Sequence, residues 1–303
     1  MNDLEKQLLM AGLPGTGKTT FLALLWLAIV GGRTPGVKLA DYQDDRTYLN
    51  GIGARLQHCD PTLHTELGED RALKLSLLVG ETDDPAVLDI PDLSGETWRE
   101  AATDRHWPSR VEALATGNKG LLLFMHGREF DAGATIGQVN ELTDILSQGS
   151  DEGSEATGHA TGDTGGHGQL PEGPPSDANG KSGHIPPTQV ALVDALQLIC
   201  EQRGLRPARV SIVISAWDLV GEGVTPREFV AKNLPLLVQY LEANEDWLEV
   251  QIFGLSAQGG DFEDADSREN LAKVDAVERA IVQDRGGGDV GVHEIALWAL
   301  GRS

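Results

Sequence analysis

The chain has 303 residues, 40% of them hydrophobic, and a formal net charge of −23. That length suits one large α/β domain or two small ones, and that apolar share supports a packed core. The acidity argues against a nucleic-acid partner or an anionic membrane surface, both of which need clustered Lys and Arg, but not against a nucleotide held by one local nest. Two cysteines, Cys59 and Cys200, give neither a disulfide framework nor a metal cluster and read as buried thiols. Asp3 and Glu5 stand where a secretion signal would carry basic residues, and the apolar run Phe21 to Val30 is too short to span a bilayer. A cytoplasmic chain without a membrane span is the expectation.

In chain order, Leu8-Leu9-Met10-Ala11 predicts a short buried strand. Gly12-Leu13-Pro14-Gly15-Thr16-Gly17-Lys18-Thr19-Thr20 follows and fits G-x-x-x-x-G-K-[ST], the phosphate-binding loop of nucleoside triphosphatases. Glycines at this spacing let consecutive N–H groups converge on an anion. Lys18 brings a point charge to the β- and γ-phosphates, and the Thr19 hydroxyl can ligate Mg²⁺. The run from Phe21 to Val30 is apolar all round, as in a helix buried inside an α/β layer, and Gly31-Gly32 ends it. Strand, loop and helix thus come in the order the loop needs.

Tyr48, Ile52 and Leu56 predict one helix within residues 41–57. Leu73 to Val79 alternates as a half-exposed strand, the turn residues Asp83-Asp84-Pro85 follow, and Ala86 to Ile90 reads as its antiparallel partner. Gly120 to Met125 is a buried strand, and residues 139–146 read as helix. Between residues 149 and 187 the large apolar residues are Leu170 and Ile185, which predicts a disordered Gly/Ser/Pro-rich insert; its His159, His167 and His184 are too sparse for a metal site. Beyond it, Val190 to Cys200 carries a helical stripe and Val210 to Ile214 a buried strand. Pro226 to Ala243 reads as helix interrupted near Pro235. Leu248 to Leu255 is then the last strand, residues 261–266 an acidic loop, and residues 271–282 and 292–300 closing helices. The fold class expected is α/β, a three-layer, mostly parallel doubly wound sheet with one antiparallel strand, in a single domain over residues 1–303.

The second informative stretch is Leu88-Asp89-Ile90-Pro91-Asp92-Leu93-Ser94-Gly95-Glu96. A carboxylate just past a buried strand can hold Mg²⁺ through water. Asp92-x-x-Gly95 resembles the D-x-x-G motif of P-loop GTPases, particularly the Ras type. Ser215-Ala216-Trp217-Asp218 and Ser256-Ala257-Gln258 stand where that family puts its [NT]-K-x-D and S-A-K guanine motifs. The resemblance implies that Gly95 offers its N–H to the γ-phosphate and that Asp218 accepts from the guanine N–H and amino groups. It likewise implies that a backbone N–H of the Ser256–Gln258 loop meets the guanine oxygen. Three positions depart from the pattern. Ala216 replaces the lysine whose stem covers the base, Ser215 replaces Asn or Thr, and Glu96 replaces the water-orienting glutamine. Trp217 either covers the base or faces the core. The Leu-Ser-Gly-Glu form of the switch and the insert resemble the bacterial double-GTPase family of predicted conflict or defence gene clusters.

That resemblance implies GTP or GDP with Mg²⁺, a GTPase-associated protein partner, and a homodimer as another way to complete the site. The Mg²⁺ ligands would be Thr19, Asp92 and a switch I threonine, Thr65 or else Thr62. Arg99 and Arg105 are candidates for compensating charge in phosphoryl transfer or for surface ion pairs, and Trp98 and Trp107 for a partner surface. Two other functions compete with a GTPase switch. Gly-x-Pro-Gly-Thr-Gly-Lys-Thr is frequent in AAA-type ATPases, yet Asp92 is followed by Leu-Ser-Gly in place of an Asp-Glu pair. A nucleotide-stabilised scaffold with little hydrolysis would retain Lys18 and Thr19 and tolerate Glu96.

Overall fold

The computed structural model describes residues 8–40, 46–60, 71–80, 83–92, 120–131, 133, 186–202 and 208–301. The chain divides into two compact units, Met1–Ala132 with Ile185–Ser303, and Gly133–His184. Gly133 apart, the second unit lies outside the described residues, and so do the helix expected over 139–146 and nearly all of the insert expected over 149–187.

The first unit is built on a five-stranded sheet in the order β1-β5-β6-β7-β8. Its strands are β1 (Leu8–Gly12), β5 (Gly120–His126), β6 (Ala208–Ser215), β7 (Leu248–Ser256) and β8 (Ile281–Gln283). The first four pair in parallel, and β8 runs antiparallel to β7. A second sheet, β2-β3-β4, is antiparallel throughout: β2 (Val37–Leu39), β3 (Arg71–Val79) and β4 (Asp84–Asp92). Strand β4 packs beside β1. The strand rows explain the continuous apolar runs. Leu8 and Met10 of β1 enter one core while Leu9 and Ala11 enter the other, and β5 splits in the same way between Leu122 and Phe124 on one side and Leu121, Leu123 and Met125 on the other. A strand with a core on each face cannot alternate polar with apolar.

Helices supply the outer layers. One core receives α1 (Lys18–Val30), α2 (Arg46–Gln57) and the last helix, α8 (Val292–Ala299). Helix α1 lies between sheet and helices, contacting α2 and α8, which is why its residues are apolar all round. The opposite core takes α3 (Thr188–Gln202), α4 (Pro226–Asn233) and α5 (Pro235–Ala243). The break expected near Pro235 is a full helix boundary. Thr225 and Glu228 form a reciprocal capping box at the start of α4, and Pro235 opens α5 at a position where its missing N–H is harmless.

The fold is the expected α/β class, with more antiparallel structure than expected. The antiparallel pair is present as β3 and β4, but Asp84 and Pro85 belong to β4 and not to the turn; Gly80 (φ 81°) and Asp83 (φ 50°) flank it instead. Strand β7 is not the last. Residues 271–282, expected as helix, hold only the end of α6 (Ala265–Leu271), the single turn α7 (Ala276–Arg279) and the start of β8. Helix α6 begins inside the acidic run expected as loop, because Asp264 caps it by accepting from Ser267 N.

Candidate nucleotide site

The phosphate loop closes on itself. Strand β1 ends at Gly12, whose φ of 152° and position allow no side chain: a methyl there would sit 2.6 Å from the carbonyl oxygen of Phe124 on β5. Gly15 and Gly17 take φ of 73° and 78°, turning successive N–H groups toward the same side. Thr16 Oγ1 donates to Leu13 O at 2.8 Å. Lys18 Nζ donates to Gly12 O at 2.7 Å and Leu13 O at 2.9 Å, so the buried ammonium curls over the loop that precedes it.

Helix α1 starts from Gly17 with no side-chain cap and no acidic residue in its first turn. Its first intrahelical bond is Phe21 N to Gly17 O, so the N–H groups before Phe21 leave the helix end available to an anion. Leu13 and Pro14 are half-buried, Gly15 exposed and Thr20 buried. Thr19 is half-buried at the second position of α1, and among the described residues its hydroxyl makes no hydrogen bond.

Strands β5 and β6 bring the base-motif residues to this loop. In the register of β6, Ser215 lies opposite His126 of β5 and Leu255 of β7. Ser215 Oγ donates to Met125 O at 3.2 Å, and Gly127 N donates to Ser215 O at 2.8 Å. A methyl group at Gly17 would come within 3.0 Å of Ser215 Cβ. The phosphate loop and the Ser215–Asp218 stretch are therefore neighbours. Ala216 turns the chain with φ 50° into a 3₁₀ turn, Trp217–Leu219, and Asp218 stands exposed on it.

Of the two placements open for Trp217, the structure takes the core. Its indole is buried, edge-on to Phe229, and its Nε1 donates to Gln283 Oε1 at 2.7 Å. Ser256 is buried at the end of β7, and its hydroxyl accepts from Gly259 N at 3.2 Å. Ala257 is buried and Gln258 half-buried, and the Gln258 carbonyl accepts from Arg279 Nε at 3.0 Å.

Arg279 is a residue that sequence reasoning missed. It is buried, and beyond Gln258 its guanidinium donates to the carbonyls of Leu271 (2.8 Å), Val274 (3.0 Å), Gln57 (3.4 Å) and Leu56. Burial pushes its pKa down, offset in part by Cys59 and Asp275. Gln283 was missed as well, since nothing in a three-residue strand marks it for a distant tryptophan.

Asp92 is the last residue of β4, opposite Arg71, and so stands within the strand and not just past it. Its side chain lies outside the described residues, together with Thr62, Thr65, Gly95, Glu96, Trp98, Arg99, Arg105 and Trp107. Among the described residues no group of three or more His, Cys, Asp or Glu could hold a metal, and no helix is long and apolar enough to cross a membrane.

Among solved structures, the chain is similar to the signal recognition particle receptor SRβ–GTP/SRX complex from Chaetomium thermophilum, at 14% identity and a TM-score of 0.42, covering 90% of this chain and 98% of that one. It is also similar to Sup35 complexed with GDP, at 10% identity and a TM-score of 0.33, covering 86% of this chain and 39% of that one. A bacterial selenocysteine-specific elongation factor, EF-Sec, is similar at 14% identity and a TM-score of 0.31, covering 89% of this chain and 29% of that one. No curated protein matches. The profile of the Double-GTPase 1 family matches residues 9–296, nearly the whole chain from β1 into α8, and the chain belongs to that family.

Proposed function

We propose that this chain is a GTP-binding switch that hydrolyses GTP slowly on its own and signals its nucleotide state to a protein partner. The observation that carries the proposal is the packing of Gly17 against Ser215, which sets the phosphate loop directly beside the turn that bears Asp218. A triphosphate on the loop would exchange the carbonyl partners of Lys18 for anionic oxygens, while the base would extend toward the exposed Asp218 carboxylate. Asp218 accepts from the N–H and amino groups of guanine, a donor pair that adenine does not present.

Thr19 and Asp92, a hydroxyl and a carboxylate, are the hard oxygen donors that Mg²⁺ takes, with Thr65 as the further ligand that the resemblance implies. Bound there, Mg²⁺ would neutralise charge on the β- and γ-phosphates. Gly95 would turn its N–H to the γ-phosphate. Glu96, in the place of a glutamine, adds negative charge beside the triphosphate, so a partner or an arginine such as Arg99 has to compensate before water is oriented well. Intrinsic turnover should therefore sit near roughly 10⁻⁴ s⁻¹, the scale of an unassisted small GTPase. The domain would span residues 1–303 around the insert at 149–187, in the cytoplasm, within a bacterial defence or conflict system. A second copy of the chain is the alternative to a GTPase-associated partner.

Competition binding with GTP and ATP, together with Asp218→Asn, tests the proposal. The wild type should prefer GTP, and the variant should lose GTP and gain xanthosine triphosphate, whose pattern at C2 is reversed. A wild type that prefers ATP would overturn the guanine assignment and restore the ATPase alternative. GTP binding with no hydrolysis under any condition would leave a scaffold.

A further inference from the structure

The base edge contains strain that its own residues do not explain. Ala216, a non-glycine residue, holds φ 50°, in the left-handed region where the Cβ of an L-residue crowds its own backbone. Such a conformation persists where the surroundings over-determine it. They do so here through the next residue. The Trp217 ring lies flat on the backbone of β7, so close that a methyl at Gly254 would sit 2.4 Å from the indole. Its Nε1 is fixed by Gln283 Oε1 on β8. Gly254 and Gln283 face each other in the β7–β8 register, so one point of the sheet holds the indole from beneath and from the side. Two residues before β8, Arg279 donates to the Gln258 carbonyl in the second base loop. One short segment, residues 279–283, thus grips both loops that border the base.

We propose that Arg279 and Gln283 are positioning residues for the guanine subsite: Gln283 sets the Asp218 carboxylate through Trp217, and Arg279 sets the Ser256–Gln258 backbone through the Gln258 carbonyl. The inference rests on the guanine reading of Asp218 given above. Neither side chain needs to touch nucleotide. Each fixes a turn whose own residues make the contact, which is how a three-residue edge strand comes to influence ligand choice.

Calorimetry on the full chain tests this with two probes, GTP and inorganic tripolyphosphate, which shares the phosphates and lacks the base. Trp217→Phe and Gln283→Leu each remove one end of the same hydrogen bond. Each should lower GTP affinity about tenfold and leave tripolyphosphate affinity unchanged within about twofold. The double variant should be no worse than either single one, because only one bond is lost. Gln283→Glu keeps an acceptor at the same place and should restore GTP binding. Arg279→Lys should weaken GTP in the same selective way, and if that buried substitution fails to fold, the Gln283 series still decides. Equal losses for GTP and tripolyphosphate, or no loss for either, would overturn the proposal. Loss of GTP in Asp218→Ala alone, with Gln283→Leu unaffected, would overturn the positioning role and spare the guanine reading. Unchanged GTP affinity in Asp218→Ala would overturn both.

Discussion

In the phosphate loop three side-chain hydrogen bonds span only three to six residues: Thr16 to Leu13, Lys18 to Leu13 and Lys18 to Gly12. At the proposed base edge the two that tie it to residues 279–283 span 21 and 66 residues, from Arg279 to Gln258 and from Trp217 to Gln283. The first region takes its shape largely from nine consecutive residues, with β5 and β6 packed close against Gly12 and Gly17. The second is assembled from groups that follow β6 and β7 and from residues 279–283 around the start of β8. A loop of the first kind should fail chiefly when its own residues change. An edge of the second kind should fail through residues outside the ligand contacts proposed above.

Lys18→Ala should have the largest effect and should be confined to the ligand. Its bonds to the Gly12 and Leu13 carbonyls contribute about 1 kcal/mol each, and a loss of that size should leave the fold intact by circular dichroism. GTP affinity should fall at least about 100-fold, or about 2.7 kcal/mol. A variant that unfolds, or that binds GTP as the wild type does, would break the picture of a self-contained loop.

Gly254→Leu should act the other way. Its side chain would start 2.4 Å from the Trp217 ring, and overpacking of this kind costs about 1–3 kcal/mol. Urea unfolding should report that loss, and GTP affinity should fall while tripolyphosphate binding survives. Equal weakening of both ligands would mean that the base edge and the phosphate loop are one mechanical unit, and the contrast between them would collapse.

The same contrast explains what the sequence made legible. Strands β1 and β5 could be read because two-sided burial leaves four or more apolar residues in a row, and β6 and β7 because Val, Ile, Leu and Phe recur along them, as at Ile212-Val213-Ile214 and Ile252-Phe253. The loop could be read because every residue it needs is contiguous, and the α4/α5 boundary because Pro235 enforces it locally. Strands β2 and β8 are three residues long, too short for any period to show. The apolar positions Leu271, Val274, Val277 and Val282 imitate a helix, although Asp275 caps a new turn between them. The side on which Trp217 falls depends on Gly254 having no side chain, a fact about another strand. Arg279 looks like a surface arginine until α2, α6 and the Ser256–Gln258 loop all turn carbonyls toward it.

The smallest expected effect lies away from both regions, at the start of α8, where a polar group is buried without the partners that each of them supplies. His293 is almost fully buried, its Nδ1 has no hydrogen-bond partner among the described residues, and Glu294 Oε1 lies 3.5 Å from its Nε2. Burial pushes the imidazole below its ordinary 6.5, and Glu294 opposes this only in part. The folded chain therefore keeps His293 neutral at pH values where the unfolded chain already protonates it. The unfolded state then binds more protons, so this residue's contribution to stability is present above about pH 6.5 and is lost as pH falls through the folded value. His293→Phe removes that group while filling a similar volume. Thermal midpoints of wild type and variant should run in parallel above pH 7 and diverge below pH 6.5, with the wild type losing more. Parallel curves down to pH 5 would mean that His293 takes up its proton in the fold, with Glu294 closing into a true ion pair.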